Sequence, residues 1–502
     1  MLPSAFRGVH CPGMSLRHSP RLVATALPPG SDPALWIEAW GGLEGFCLLD
    51  SGASGAGEQW GGPEARWSLA GLGPLDDGAG PGDLEAWRQL VERIEPGGDG
   101  VPGPFQGGFL GALAYDLGVH GEELVLPSDP WAGPLVIGGL VTDFAVLDHR
   151  TGEGWLVLDE AATDGRPPVE ARRAALLDAL VSAGSGAGGR GREARGEGPL
   201  TRRVSTELHA ERVERLRGEI ARGEVYQANL AHPLYRETLG HPRDLYLRLR
   251  QANPGAYLGY AAWGRQDDGR PDGALLSASP ELLLECVGRE VRTRPIKGTT
   301  ARSEDPATDG LRRRALLESE KDLAELAMIV DLSRNDLGRV CEAGGVRVDA
   351  FPVLESYRRV HHLVADVRGT LEPGRTGLDA ALALFPGGSI TGAPKLRAME
   401  CIADLEGEGR GMFTGSMGWV DRRGDARLNI LIRTLVWRPR PDLGPDRGEV
   451  RFHVGGGITW SSDPLAEDRE TLDKAAALVE ALEGSAELAA TGSPEGSPVE
   501  TP

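Results

Sequence analysis

Lysine is almost missing from this chain. Of its 54 basic residues only Lys297, Lys321, Lys395 and Lys474 are lysines, and every other one is arginine. Arginine stays protonated, whereas lysine can lose its proton and act as a nucleophile or base. The few lysines therefore need individual explanations. Lys297, Lys395 and Lys474 fall in segments patterned like sites, and Lys321 does not. Cysteine is scarce as well. Cys11, Cys47, Cys286, Cys341 and Cys401 are odd in number, scattered and without a CxxC pair. That excludes a disulfide framework and a cysteine zinc site, and it leads to the expectation of a reducing cytoplasm. No apolar stretch approaches the ~18–20 residues that span a bilayer, so no membrane partner is expected. Nor is there a basic run interleaved with aromatics. With a net charge of −20, the chain repels nucleic acid and anionic membranes alike.

What remains is the composition of a soluble globular protein: 502 residues, 40% hydrophobic and 25% charged. The first 31 residues contain no acid and no apolar signal core, and are expected to form a frayed terminus. Four stretches are expected: an N-terminal α+β region at 1–181, a Gly/Arg/Glu-rich linker at 182–200, a catalytic domain at 201–483 and a disordered tail at 484–502. Strands are predicted at 45–49, 135–140, 155–158, 274–285, 412–420, 428–436 and 450–459. Helices are predicted at 206–222, 311–340, 395–405 and 464–483. The strands cluster in hairpin-like groups instead of alternating with helices, so the fold class is α+β with antiparallel sheets.

Two glycine patterns imitate phosphate loops. Gly184-x-Gly186-x-x-Gly189 follows a helix, precedes none and lies in the linker. Gly387 to Lys395 has Pro394 before the lysine and Leu396 where a P-loop needs Ser or Thr. The second segment does open a helix, so its amides remain able to hold a carboxylate. Glu467, Glu470 and Lys474 stand at i, i+3 and i+7, about 300° and 700° around a helix of 3.6 residues per turn, and so share one face. Glu325 lies on another helix. Two carboxylates from different helices, with substrate oxygens and water, suit Mg²⁺; periodicity alone equally describes two solvated helix faces. Arg433 is predicted in a strand, facing away from Leu428, Ile430 and Ile432, where it is either suited to a carboxylate or a solvated edge residue. Gly455-Gly456-Gly457 signals close approach of backbone to a ligand or another strand.

In this order the segments resemble the chorismate-utilising family: anthranilate synthase large subunits, isochorismate and salicylate synthases, and aminodeoxychorismate synthase component I. The resemblance is carried by Gly223-Glu-Val-Tyr-Gln227-Ala-Asn-Leu230, Ser279-Pro280-Glu281-Leu282-Leu283, Arg294-Pro-Ile-Lys297-Gly-Thr299, Glu325 to Asp336, Gly387 to Lys395, Arg433, and Gly455-Gly-Gly-Ile458 running into Glu467 and Glu470. Cys47-Leu48-Leu49-Asp50-Ser51-Gly52 looks like a further family strand. The resemblance implies a large α/β sandwich of antiparallel sheets flanked by helices. Family members that add water carry a lysine where this chain has Gln227, which is no general base. At position 297, anthranilate synthases typically have alanine, and aminodeoxychorismate synthases typically have lysine, as here.

What the resemblance implies is amination of chorismate at C4. Lys297 would be the nucleophile and Glu281 the acid. Mg²⁺ would be held by Glu325 and Glu470, with Glu467 nearby. Substrate contacts would come from Arg433, Ser389, Lys474, Gln227, His362 and the amides of Gly455, Gly456 and Gly457. Arg294 is expected to help keep Lys297 neutral. Trp419 stands where the family usually has a tyrosine. No glutaminase motif is found, so a separate glutaminase subunit would supply ammonia. The alternatives are an anthranilate synthase large subunit and a non-catalytic scaffold of the same fold.

Overall fold

The computed structural model describes residues 20–52, 64–73, 84–92, 100–119, 124–161, 166–185, 194–266, 269–357 and 359–483. The expected tail at 484–502, Cys11 and most of the glycine-rich stretch around Gly186–Gly189 lie outside those residues. Among the described residues, two large antiparallel sheets of 12 and nine strands dominate. Leu275 and Phe144 of the larger sheet and Met417 of the smaller share one apolar core with Phe105 and Leu431 from the connections. Separate cores form where helices cover the outer faces.

Both sheets draw strands from the whole chain. Cys47–Asp50 pairs with Tyr257–Trp263 in one, and Gly108–Leu113 pairs with Ser416–Asp421 in the other. The first 181 residues therefore share their sheets with the remainder instead of forming a separate core. Part of the expected linker is also structured, since Arg195–Arg202 is a strand laid against Gln227–Leu239.

Two long predicted strands are each divided between sheets. Gly273–Ser279 belongs to the larger sheet and Leu282–Val287 to the smaller. Likewise Ala426–Asn429 lies in the smaller sheet and Thr434–Pro439 in the larger. The two crossings run side by side: Ile430 N–H donates to Glu281 O at 3.0 Å, and Ala278 N–H to Arg433 O at 3.0 Å. Arg433 is thus no mid-strand residue. It turns the corner with φ +51°, a region that non-glycine residues rarely occupy and that often marks a functional constraint.

The predicted helix at 311–340 is also two helices, Pro306–Leu317 and Glu320–Leu337. Ser319 caps the second by accepting from Asp322 N–H. Its buried residues, Leu326, Ile329, Val330, Ser333 and Leu337 among them, follow helical spacing. The helices Lys395–Glu406 and Pro464–Leu482 begin and end within a residue of their predicted bounds. No helix among the described residues is long and apolar enough to cross a membrane.

Candidate active site

The cleft forms where the strands Gln227–Leu239 and Arg447–Ile458 of the larger sheet approach the edge strand Ile296–Ala301 of the smaller one. Gly455, Gly456 and Gly457 lie opposite Ala231, Leu230 and Asn229 in antiparallel register. Their main contribution is clearance. A Cβ on Gly457 would sit 2.1 Å from Gln227 Nε2 and 3.2 Å from Lys297 Nζ, and one on Gly456 would sit 3.2 Å from Glu467 Oε2. A side chain at Gly457 would displace Gln227 from Lys297, and one at Gly456 would crowd Glu467.

Lys297 leads into the cleft from its strand. Burial lowers its pKa, the Lys474 ammonium pushes the same way, and Glu325, Glu281 and Glu470 oppose. The expected contribution of Arg294 is absent, because Arg294 is engaged by Glu64, Glu355 and Asp366. The like charge beside Lys297 is Lys474. Glu281, almost fully buried at the first sheet crossing, has its pKa raised by burial, with Ser389 and Lys297 partly offsetting the rise. Ile296 N–H reaches Glu281 Oε1 at 3.4 Å. Burial therefore drives both the amine and the carboxyl toward their neutral forms. Gln227 is 1% exposed, and its Oε1 has no hydrogen-bond partner, which leaves a buried acceptor beside Lys297.

Three carboxylates border the opposite side. Glu325 comes from the helix Glu320–Leu337, and Glu467 and Glu470 come from Pro464–Leu482. Lys474 Nζ lies 2.8 Å from Glu470 Oε1 and donates to Gly455 O at 2.9 Å. Burial raises the Glu325 pKa, and Glu467 adds to the rise while Lys297 and Lys321 oppose it. Glu325 Oε1 is buried without a hydrogen-bond partner. Among the described residues no three His, Cys, Asp or Glu side chains form a ready-made metal cage. A hard divalent ion completed by substrate oxygens and water nevertheless suits the unpartnered Glu325 Oε1 with the two carboxylates facing it.

Arg433 has no carboxylate partner among the described residues, and burial lowers its pKa. His362 is held near it, with Nδ1 2.7 Å from Thr299 Oγ1. Its pKa falls to about 3 through burial, Arg433 and His361, so its imidazole is neutral at physiological pH. A half-buried guanidinium without an anion is a natural place for a ligand carboxylate.

The structure also places residues that the sequence left without a role. Lys321, which had no motif, stands 3.9 Å from Glu325 Oε1 one turn along the same helix, a spacing visible in the sequence. Lys395 instead pairs with Asp336 at 2.8 Å and donates to Leu384 O, closing a helix start. Trp419 belongs to the inter-sheet core, edge-on to Phe105 at 5.8 Å. Thr299 was quoted within its motif but given no role, although it follows Lys297 by two positions on the same strand.

Fold and cleft together define a chorismate-utilising sandwich. Residues 71–480 match the family described as chorismate binding enzyme, and the chain belongs to that family. It is 39% identical over 428 residues to anthranilate synthase component 1 of Streptomyces coelicolor, covering 83% of this chain and 81% of that protein. It is 32% identical over 440 residues to aminodeoxychorismate synthase component 1 of Bacillus subtilis, covering 84% and 90%. The crystal structure of anthranilate synthase component I from Streptococcus pneumoniae superposes with TM-score 0.65 at 26% identity, covering 94% and 96%.

Proposed function

We propose that this enzyme aminates chorismate at C4, giving 4-amino-4-deoxychorismate for para-aminobenzoate and folate synthesis, through a covalent adduct at Lys297. The observation that carries this reading is a lysine whose pKa burial depresses, placed against Gly457 and near a carboxyl whose pKa burial raises. The neutral amine supplies an electron pair to ring carbon C2. The double bonds shift, and the C4 hydroxyl leaves as water with the proton of Glu281. Ammonia then forms the C4–N bond, the double bonds shift back, and the C2–N bond breaks to release the Lys297 amine. The Glu281 carboxylate takes the proton that the new ammonium sheds. Gln227 Oε1 accepts from an incoming N–H but cannot deprotonate water. Arg433, the Gly455–Gly457 amides and neutral His362 hold the enolpyruvyl carboxylate, with Ser389 and Lys474 completing the substrate contacts.

Mg²⁺ would be held by Glu325 and Glu470 with Glu467 beside them, and when bound it neutralises the ring carboxylate. Glu470→Gln should abolish Mg²⁺-dependent chorismate binding in calorimetry; retention of that binding would exclude Glu470 as a ligand. The ammonia is assigned to a separate glutaminase subunit, in keeping with the component 1 designation of both relatives. Cys47, Cys286, Cys341 and Cys401 are all buried, which leaves none of these thiols accessible to glutamine. The reading places the protein in the cytoplasm.

The higher identity to an anthranilate synthase favours a second reading, amination at C2 with loss of pyruvate, against which Lys297 stands. Intact-protein mass spectrometry with chorismate and Mg²⁺ but no ammonia separates the two. The covalent reading expects a species heavier by chorismate less one water, mapped to the Lys297 peptide. No such species would overturn it.

A further inference from the structure

The helix Pro464–Leu482 carries Glu467, Glu470 and Lys474, yet its packing is uneven along its length. Its buried residues are Glu467, Asp468, Thr471, Ala475, Leu478, Ala481 and Leu482. The half nearer the cleft thus buries polar side chains and no leucine. Hydrophobic burial is non-directional, and here too little of it is available to set how this half is rotated about its axis.

What the first half buries is Asp468, 2% exposed. Arg202 grips it with both terminal nitrogens: Nη1 donates to Oδ2 at 3.1 Å, and Nη2 donates to Oδ1. Thr206 Oγ1 donates to Oδ2 at 2.9 Å, and His209 Nδ1 lies 3.1 Å from Oδ1. One turn on, Thr471 Oγ1 donates to Asp468 O at 2.7 Å and stands 3.1 Å from His232 Nε2. The His232 ring meets His209 edge-on at 5.1 Å. The partners come from three elements: the strand Arg195–Arg202, the helix Thr206–Ala221 and the strand Gln227–Leu239.

Asp468 directly follows Glu467, whose carboxylate lies 3.2 Å from the Cβ position of Gly456. Successive helix residues are about 100° apart, so holding Asp468 against Arg202, Thr206 and His209 fixes the direction in which Glu467 and Glu470 project. A bidentate arginine–carboxylate pair fixes orientation as well as distance. A buried ion pair is weak evidence for stability, since apolar side chains of similar volume often serve as well, and directional register is what it adds. We infer that Arg202 and Asp468, supported by Thr206, His209 and the Thr471–His232 contact, form a positioning clamp for the metal-binding carboxylates. The inference rests on the Mg²⁺ assignment above.

The test is a Mg²⁺ titration of chorismate binding by calorimetry on the full-length protein, with melting temperature and kcat measured alongside. Arg202→Met with Asp468→Leu removes both charges together, so no unpaired charge stays buried. The expected result is a Mg²⁺ midpoint raised about 10-fold, the usual effect of losing partners behind the ligands, with kcat restored at saturating Mg²⁺. Thr471→Val, a milder change that removes the link to His232, should raise the midpoint roughly threefold. It decides the matter if the double variant does not fold. An unchanged midpoint in a folded variant, or a loss that excess Mg²⁺ does not relieve, overturns the clamp while the metal assignment stands. Wild-type chorismate binding that is indifferent to Mg²⁺ overturns the metal assignment and the clamp with it.

Discussion

Lys297→Ala should lower C4 amination with ammonium by roughly 10³- to 10⁶-fold, the range seen when a covalent nucleophile is removed. Loss of the amine abolishes the adduct and returns the reaction to a single direct displacement. The variant should nevertheless fold and bind chorismate, because among the described residues Lys297 makes no ion pair that holds the sandwich together, and Arg433 with the carboxylates remains. Alanine, smaller than lysine, adds no clash against Gly457. Lys297→Arg is the sharper control, since its guanidinium keeps a charge in place yet cannot lose its proton, and it should be as inactive as alanine. Steady-state amination measured by mass spectrometry checks both variants. Undiminished turnover in Lys297→Ala would eliminate the covalent step.

Glu281→Gln should cost about 10²- to 10⁴-fold in kcat, the usual worth of a general acid or base. Glutamine preserves size and the contact with Ile296 N–H but cannot deliver a proton to the departing hydroxyl. The pH profile carries the same information. Burial raises the Glu281 pKa, and the reactive form is the protonated one, so activity falls as pH rises through that raised value. Burial lowers the Lys297 pKa, and the reactive form is the neutral one, so activity falls as pH drops through that lowered value. The result is a bell whose two apparent pKa values belong to the coupled pair. Glu281→Gln should flatten the basic limb in a rate–pH series, and an unaltered basic limb would assign the acid to another group.

The site was readable from the sequence wherever a residue sat inside a compact motif. Glu467, Glu470 and Lys474 do share a helix face, and Gly456 and Gly457 do mark a close approach. Motifs of this kind carry their geometry locally, through helical spacing or the absence of a Cβ. Arg433 reads as a site residue from its sequence for the wrong geometric reason. Its apolar neighbours alternate as in a strand, but the chain leaves one sheet at Asn429 and joins the other at Thr434, and nothing in the alternation signals the positive φ between them. The segment 274–285 misled in the same way, because two strands in different sheets read as one apolar run. Lys321 lay one turn from Glu325, but its value appeared only once the carboxylates of another helix were brought beside it. The Arg202–Asp468 pair was beyond reach, since 266 residues separate its partners and no local pattern links them.

The central claim is that Lys297 directs ammonia to C4, and the most direct test is the product that purified protein makes from chorismate, Mg²⁺ and ammonium, identified by mass spectrometry with a pyruvate assay in parallel. The account expects an aminated product that keeps its enolpyruvyl group, with no pyruvate released. Anthranilate with stoichiometric pyruvate would contradict it and would mean that the lysine at position 297 does not set where nitrogen enters the ring.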